Sequence, residues 1–511
     1  MTLNQRITPW DRWLRKTGIT GADGWFLHVL LVALLGLLAA RLSILWATPL
    51  ELGPDEAQYW FWSKTPAFGY FSKPPMIAWV IGLTSSLCGD AEPCVRMGAP
   101  LIHALTALGV YVLARTLYDP QIALWAGLTF ALLPGVSLSS LLITTDVPLL
   151  LFWVWALVAT VHLLERFSWS WAAVWGLAVG LGLLAKYAMA YVFAGVFLAA
   201  LLTQTPWRQL LRLDWLLGVG IAFALLAPNV IWNIQNGFAT VRHTASNANW
   251  QAETLFNIGK LLEFVGGQFA LLGPIIAGLF VAGLVWGWYR RGPHSQLRAD
   301  MVLLAFSLPV LIVVTTQAFI SRANANWAAV ALVPICVLVA AWAWRLGYQR
   351  WLLAGIGLNA LLGAIVAVMA VSPAAVAALN RHNDVKRLRG WSELGTQIMV
   401  RADRGGFSAV LSDDREDMGS LLYYGRASRV EVRSFVPATG PNYEYHLSRP
   451  LAAMSDGRVL LVTRQGDVSA ITARFARAEK LESLTVSLGG NKTRTVHLYA
   501  LEAPFTPAWR P

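Results

Sequence analysis

The segment Trp25–Trp46 reads WFLHVLLVALLGLLAARLSILW and contains a single charged residue, Arg41. A helix that crosses the hydrocarbon core of a membrane needs about 20 consecutive apolar residues, and this segment supplies them. Three further runs contain no charged residue at all: Ile122–Leu142, Val302–Thr315 and Trp351–Val371. The pattern predicts a polytopic α-helical membrane protein.

The composition of the whole chain agrees with this prediction. The chain has 511 residues, of which 56% are apolar and 13% are charged, whereas about a quarter of the residues in soluble proteins are charged. This composition excludes a disordered protein and argues against a cytosolic enzyme. The formal net charge is +12, and basic loops on the cytoplasmic side of a membrane explain it without a nucleic-acid partner.

Hydropathy predicts about eleven membrane spans. Their expected ranges are 25–47, 95–114, 121–142, 147–164, 170–185, 187–203, 215–232, 261–288, 301–319, 327–344 and 351–371. Lys and Arg are concentrated in the connections that lie inside if the N-terminus is cytoplasmic, as the positive-inside rule requires. We therefore expect a multi-pass membrane protein whose odd number of spans leaves the C-terminal tail outside.

The tail differs in character from the rest of the chain, so we predict two domains, a membrane domain over 1–371 and a soluble α/β domain over 372–511. Charged residues are frequent in the tail, and its apolar runs are short and separated by turn residues. This alternation is typical of small α/β domains. The expected strands are Ser408–Leu411, Arg458–Val462 and Thr495–Ala500, and the expected helices are Trp391–Arg401 and Glu416–Tyr424.

The unusual polar residues fall almost entirely in connections that this topology places on the outer face. Ionisable groups at membrane depth are costly and tend to mark function. We therefore expect one outer site for an anionic, hydroxyl-rich ligand. The predicted ligand contacts are Tyr59, Tyr70, Arg96, His243, Asn249, Glu263, Gln268, Asn324 and Asn326.

Three acidic residues are candidates for catalysis: Asp55, Glu56 and Asp146. Asp55 and Glu56 follow Pro54, which favours a helix start, so their alternative role is to stabilise the helix dipole. Asp146 precedes an apolar span and could simply cap it. As functional groups, these carboxylates could accept a proton from a hydroxyl or orient a sugar.

Three cations are candidates for binding a phosphate: Lys73, Arg322 and Lys186. Lys73 lies just before Pro74-Pro75 and an apolar helix, where backbone N–H groups can join it in binding an anion. The alternative for Lys73 is an ordinary lysine that reaches towards water. Arg322 suits bidentate phosphate binding but could instead pair with an outer acid. Lys186 interrupts an apolar stretch, which a turn between two spans would also explain.

Three cysteines are present. Cys336 lies inside an expected span and is interpreted as a packing residue. Cys88 and Cys94 share the first outer loop, and an oxidising compartment permits a disulfide between them. The spacing alone does not fix the Cα separation that a disulfide requires, so the free and bridged states both stay open.

The order of these motifs resembles that of a known family. Asp55–Tyr59 reads DEAQY, Phe68–Pro75 reads FGYFSKPP, Arg96 precedes the second span, and Thr144–Pro148 reads TTDVP. Together with the segment from Arg322 to Trp327, they resemble the GT-C membrane glycosyltransferases of the protein O-mannosyltransferase and lipid A aminoarabinose-transferase superfamily, which is glycosyltransferase family 39/83-like. The likeness covers roughly residues 25–345.

The resemblance implies an inverting glycosyltransferase of the bacterial inner membrane that takes a sugar from a polyprenyl (undecaprenyl) phosphate donor on the extracytoplasmic face, with the C-terminal domain in the periplasm. It implies that Asp55 is the base, that Lys73 meets the donor phosphate and that Asp146 is the acid of the second outer turn. The acceptor would be lipid A, core oligosaccharide or another glycolipid. Ser72 is a departure, because aminoarabinose transferases typically have Glu before this lysine; a sister group with another sugar or acceptor is therefore favoured.

The residues permit a mechanism without further cofactors. A lipid phosphate is a good leaving group, so a base for the acceptor hydroxyl and cations for the phosphate suffice. A divalent cation shared by Asp55 and Asp146 stays open, although no zinc-ligand spacing is present. The alternative class is a transporter or flippase of a lipid-linked saccharide. Transporters often contain inverted repeats with broken helices in both halves, and the sequence contains no internal repeat.

Overall fold

Long apolar helices make up the N-terminal three quarters of the chain. The computed structural model describes residues 22–248, 250, 255–286, 294–451 and 457–504. Within these ranges, seven helices are long and apolar enough to cross a membrane, or eight if one bent pair is counted as a single span. The seven are Gly24–Ala47, Glu92–Leu117, Asp146–Glu165, Leu213–Gln235, Ser295–Ile320, Ala325–Leu346 and Gln349–Val371. The chain is thus a multi-pass membrane protein.

Two predicted spans are each broken into two helices, and some apolar helices are shorter than a full span. The shorter apolar helices are Met76–Cys88, Pro120–Leu132, Trp169–Ala185 and Tyr187–Leu202. The span predicted over 121–142 is wrong in its length, because its first helix ends at Leu132 and a short helix, Pro134–Ser139, follows. Proline lacks the N–H group that a continuing helix needs. The count of eleven spans stays a prediction.

The span predicted over 261–288 is also two helices. Ile258–Leu272 and Pro274–Trp286 meet at an angle of 107°. Gly273 joins them with φ of +81°, and a Cβ atom there would lie 1.8 Å from the Asn359 side-chain oxygen. Only glycine fits this backbone and this close approach. The Asn359 amide donates to the Leu272 carbonyl oxygen at 2.9 Å, which satisfies the end of the first helix.

Burial distinguishes central from peripheral helices. In the most apolar window of Ala325–Leu346, 89% of the residues are buried inside the protein, against 17% for Gln349–Val371. Ala325–Leu346 therefore runs through the middle of the bundle, and Gln349–Val371 lies at its periphery, towards lipid. The core between the helices contains large aromatic side chains such as Trp153 and Phe306, whose rings meet edge to face at 5.9 Å.

A buried ionic network joins two of these helices at their predicted cytoplasmic ends. The Arg345 guanidinium donates to both oxygens of Asp300, at 2.6 and 3.1 Å. Tyr118 and Trp342 donate to the same carboxylate at 2.5 and 2.9 Å. Four N–H and O–H groups thus compensate for the burial of the charge of Asp300.

The C-terminal part forms a five-stranded mixed sheet. Its strands are β1 (Ala409–Ser412), β2 (Glu431–Ser434), β3 (Arg458–Thr463), β4 (Phe475–Gly489) and β5 (Lys492–Pro504), in the order β2-β1-β3-β5-β4. β1 pairs in parallel with β2 and β3, so that Val410 lies opposite Val432 and Leu460. β5 is antiparallel to β3 and β4. The predicted small α/β domain is therefore confirmed.

The predicted elements of the soluble domain are found with small changes in their bounds. The helices Trp391–Arg404 and Arg415–Tyr424 and the strands β1, β3 and β5 correspond to the expected ones. Two strands, β2 and β4, were not predicted. β4 is an edge strand in which the eight residues between Phe475 and Leu484 are all exposed. Because neither face of that stretch is buried, it lacks the alternation that marks a strand.

The bounds of the other helical elements complete the fold, and several of these elements are the helical parts of the spans given above. The α-helices are Ala22–Ala47, Pro54–Ser63, Glu92–Arg96, Gly98–Leu117, Tyr191–Leu202, Ala239–Ser246, His294–Ile320, Leu332–Leu346, Pro373–Ala378, His382–Val385, Glu444–Ser448 and Ser469–Thr472. The 3₁₀ helices are Tyr187–Ala190, Trp207–Leu211, Ala325–Ala331 and Lys386–Leu388.

The soluble domain is docked on the first outer loop through two helices, Arg415–Tyr424 and Pro54–Ser63. A Cβ atom at Gly419 would lie 3.3 Å from the Pro54 carbonyl oxygen, so glycine permits the close approach of the two backbones. Trp60 and Tyr423 pack edge to face at 4.8 Å. The soluble domain therefore has a defined position relative to the outer loop.

We predict that Arg345→Met destabilises the protein much more than Arg433→Met. The first change leaves the buried Asp300 without its counter-charge, which costs about 3–5 kcal/mol. The second removes only the exposed pair between Arg433 and Glu431, worth about 0–1 kcal/mol. Thermal unfolding of the detergent-solubilised variants measures the difference, and equal midpoints for both would contradict the prediction.

Candidate active site

A cavity of about 830 Å³ lies between the outer loops of the membrane domain and the soluble domain. It contains nine of the predicted site residues, namely Asp55, Glu56, Tyr59, Lys73, Asp146, Lys186, His243, Asn324 and Asn326. These residues come from distant parts of the sequence, and the fold brings them together as the one-sided distribution of polar residues led us to expect.

Asp55 and Glu56 are neighbours in sequence but have different environments. Both lie in the first turn of the helix Pro54–Ser63. Glu56 is buried, and its carboxylate accepts from the Arg96 guanidinium at 2.8 and 2.7 Å, from Gly53 N–H at 2.9 Å and from Ile143 N–H at 3.1 Å. These bonds occupy both oxygens of Glu56. The side chain of Asp55 is 56% exposed and points into the cavity.

Asp55 has one cationic partner in the described part of the chain. The Nη1 group of Arg415 donates to Asp55 Oδ1 at 2.8 Å and to Gln58 Oε1 at 2.6 Å. Arg415 belongs to the soluble domain, 360 positions away in sequence. The soluble domain therefore contributes a charged group to the site, a contact that the sequence did not predict.

Asp146 begins the helix Asp146–Glu165 and faces the same cavity. Its carboxylate accepts from the Lys186 ammonium at 2.7 Å and from the Asn326 amide at 2.7 Å. Lys186 follows the helix Trp169–Ala185 in an extended conformation, and its side chain lines the cavity. Asp146 thus holds Lys186 and Asn326 together at the wall of the cavity.

Lys73 has no ion-pair or hydrogen-bond partner for its ammonium within the described residues. Burial, and then the charge of Lys186, lower its pKa from the ordinary value. Its backbone carbonyl accepts from Tyr70 N–H at 3.2 Å, which closes the turn before Pro74. A largely buried lysine without a protein partner suits an anionic ligand.

A second cavity, of about 520 Å³, adjoins the first. The two share Lys73, Lys186 and Trp327. The second cavity is lined mostly by apolar side chains of the helices Tyr187–Leu202 and His294–Ile320, including Tyr191 and Val313. The two lysines therefore lie where a polar chamber meets an apolar groove.

Burial also shifts the pKa values of two aromatic residues at the cavity. Burial, reinforced by the charge of Asp55, raises the pKa of Tyr59 well above its ordinary value, so its hydroxyl stays protonated. Burial and the nearby Lys73 lower the pKa of His243, so its ring is neutral at neutral pH. Both side chains can therefore hydrogen-bond a sugar without adding a charge.

Five predicted residues do not line this cavity. Arg96 is bound to Glu56, and Tyr70 donates to the backbone of Trp62. Glu263 is exposed and paired with Lys260, and Gln268 donates to the Ala325 carbonyl oxygen. The side chain of Arg322 is exposed and lines neither cavity. Asn249 lies outside the described residues.

Sequence reasoning missed the residues that the soluble domain contributes. They are Asp384, Arg387, Leu388, Arg415, Asn442 and Tyr443. No motif marks them, because they reach the cavity only when the domain docks. Arg415 follows an Asp414 that caps its helix, but this pattern by itself indicates a helix start and no function.

Cys88 and Cys94 lie in the first outer loop with their Cα atoms 5.8 Å apart and form a disulfide. Cys336 is buried and free. Among the described residues, no group of three or more His, Cys, Asp or Glu is arranged to hold a metal ion.

Comparisons with known proteins agree with this geometry. Residues 72–232 match the family model of dolichyl-phosphate-mannose-protein mannosyltransferases. The chain is 34% identical to the lipid A galacturonosyltransferase RgtD of Rhizobium johnstonii, over 93% of this chain and 98% of the relative. It is 27% identical to the lipopolysaccharide core galacturonosyltransferase RgtA of the same organism, over 86% and 87% of the two chains.

A solved structure shares the fold. The crystal structure of ArnT from Cupriavidus metallidurans, bound to undecaprenyl phosphate, superposes with a TM-score of 0.63 at 16% identity, over 94% of this chain and 98% of the other. A helical membrane domain, an outer polar cavity and a docked soluble domain define a membrane glycosyltransferase of the GT-C class. The chain belongs to the GT-C family that includes RgtD, and the resemblance drawn from its motifs is confirmed.

We predict that Glu56→Gln mainly lowers the stability of the protein, whereas Asp55→Asn mainly lowers its activity. Glu56→Gln leaves the buried Arg96 without a counter-charge, which costs about 3–5 kcal/mol of stability. Asp55→Asn removes only a half-exposed pair, worth about 0–1 kcal/mol, and abolishes sugar transfer instead. Thermal unfolding of both purified variants, combined with an activity assay, separates these effects; a stable Glu56→Gln protein would refute the structural role of Glu56.

Proposed function

We propose that the chain transfers a sugar from a polyprenyl phosphate, such as undecaprenyl phosphate, to lipid A or a similar glycolipid on the periplasmic face of the inner membrane. The observation that carries the proposal is the position of Lys73 between a polar chamber and an apolar groove. A polyprenyl-phosphate sugar has the same division, with a sugar, a phosphate and a hydrocarbon chain in that order.

The comparisons support the same donor and acceptor. The crystal structure of ArnT contains bound undecaprenyl phosphate, and RgtD is a lipid A galacturonosyltransferase. RgtD and RgtA are both named as galacturonosyltransferases, which favours galacturonic acid as the sugar. The proposed orientation, with the N-terminus in the cytoplasm, is supported by the density of Lys and Arg in the inner connections.

The reaction is a single displacement at the anomeric carbon of the sugar. An acceptor hydroxyl attacks this carbon while Asp55 takes the hydroxyl proton. The bond between the anomeric carbon and the phosphate oxygen breaks, and its electron pair leaves with the lipid phosphate. Lys73 stabilises the charge that develops on that phosphate. Attack from the face opposite to the leaving group inverts the anomeric centre.

We expect Asp55→Asn and Lys73→Met to abolish sugar transfer without unfolding the protein. Loss of a general base typically costs 10²–10⁴-fold in rate, and loss of one charge-stabilising donor costs about 10²–10³-fold. Transfer of radiolabelled sugar from undecaprenyl phosphate to lipid A in membranes measures both. Lys64→Met is the matched control, because Lys64 lies in the same loop but pairs with Asp90. Wild-type transfer by both Asp55→Asn and Lys73→Met would overturn the assignment.

The lowered pKa of Lys73 predicts a pH limit for binding of the lipid phosphate. A lysine with a lowered pKa loses its proton at a lower pH than the ordinary value, and the neutral amine no longer attracts phosphate. We therefore expect the affinity for undecaprenyl phosphate to fall with rising pH in the range below the ordinary lysine pKa of about 10.4. Lys73→Arg should keep its affinity over this range, since arginine stays charged. A titration of binding against pH that is identical for both proteins would contradict this.

A further inference from the structure

Arg415 is placed in the cavity by a rigid part of the soluble domain. It lies in the first turn of the helix Arg415–Tyr424, whose Gly419 packs closely against Pro54. The last residue of this helix, Tyr424, accepts from Leu52 N–H at 2.8 Å through its hydroxyl oxygen. The middle and the C-terminal end of the helix are thus fixed against the loop that carries Asp55. The position of the guanidinium is therefore determined by packing.

The guanidinium of Arg415 uses only one of its three nitrogens in protein contacts. Both hydrogen bonds, to Asp55 and to Gln58, come from Nη1. Within the described residues, Nε and Nη2 have no protein partner, and neither is among the buried unpaired polar atoms, so both are open to the cavity. The free edge of a guanidinium presents two parallel N–H groups, which match the two oxygens of a carboxylate.

The other cations of the cavity differ from Arg415 in their partners or their positions. Lys186 is paired with Asp146, and Lys73 lies at the mouth of the apolar groove, where the phosphate is expected. Arg387 is 60% exposed and paired with Glu416. Of these cations, Arg415 alone is hydrogen-bonded to Asp55. If a carboxylate of the ligand binds to one of these cations, the one that binds to Arg415 lies closest to Asp55, the proposed base.

We propose that Arg415 is the specificity-determining residue for an acidic sugar. In this proposal, which rests on the proposed function, Nε and Nη2 of Arg415 bind the carboxylate of a hexuronic acid while Nη1 keeps its bond to Asp55. One guanidinium then links the base to the sugar and sets where the anomeric carbon lies relative to Asp55. A neutral hexose leaves this edge of Arg415 unpaired, because a hydroxymethyl group replaces the carboxylate.

Two donors that differ only at this group test the proposal. They are undecaprenyl-phosphate galacturonic acid and undecaprenyl-phosphate galactose, offered to the full-length protein in membranes with lipid A as acceptor. The readout is the ratio of their kcat/KM values. Loss of the Asp55 contact affects both donors alike and cancels in the ratio, so the ratio reports on the carboxylate alone.

We expect the wild-type protein to prefer the galacturonic acid donor. Arg415→Gln should reduce the preference roughly 10- to 100-fold, the worth of a charge-assisted pair. The donor preference of Arg415→Lys should lie between those of the wild type and Arg415→Gln, because lysine keeps the charge but lacks the two parallel N–H groups of the guanidinium. Arg401→Gln is the matched control, because Arg401 belongs to the same domain but pairs with Glu482; its preference should equal that of the wild type.

The failures of the two proposals can be distinguished. If the wild-type protein transfers neither sugar, the proposed function is overturned and this inference with it. If it transfers both sugars equally well, only the inference is overturned. If Arg415→Gln lowers transfer of both sugars by the same factor, Arg415 acts on Asp55 alone and the specificity role is refuted.

Discussion

The buried ion pair between Glu56 and Arg96 holds the outer face of the membrane domain together. Arg96 donates to the backbone oxygens of Leu50 and Glu51 as well as to Glu56. Glu56 in turn accepts from the backbone of Ile143, three residues before Asp146. One ion pair thus joins the start of the first outer helix, the entry to the second span and the second outer turn. Two charges this deeply buried are tolerated because almost every donor and acceptor they carry is used.

This arrangement explains why Asp55 is available for chemistry. Since Glu56 turns inwards to Arg96, the preceding side chain on the same helical turn points outwards to the cavity. Asp146 is positioned by the same network. Glu56 and the proposed base, Asp55, are neighbours in sequence, and the burial of one determines the exposure of the other.

The site combines two environments that a single polar or apolar pocket could not provide. The polar chamber can solvate a sugar, the apolar groove can accept hydrocarbon, and the two lysines lie at their boundary. The soluble domain forms one wall of the chamber and contributes Arg415, Asn442 and Tyr443 to its lining. Because this domain docks through close helix packing at Gly419, its polar side chains reach the chamber in a fixed geometry.

The motif residues of the sequence predicted much of this site, and Asp55, Lys73 and Asp146 do line one cavity. Glu56 and Arg96 were expected to act on substrate, yet they bind each other, because a motif does not reveal which way a side chain points. Arg415 had no motif to mark it. The break at Gly273 was missed as well, since its cause is the distant Asn359.

The sequence by itself determined that the chain lies in a membrane, that a small α/β domain follows the membrane helices and which family the chain belongs to. These properties follow from local hydropathy, from alternation along a few residues and from short motifs. Only the tertiary structure decided which of the two adjacent acids is buried in an ion pair with Arg96, and that a residue 360 positions away pairs with the other. Such contacts depend on how helices and domains pack in three dimensions, and no local pattern along the chain encodes them.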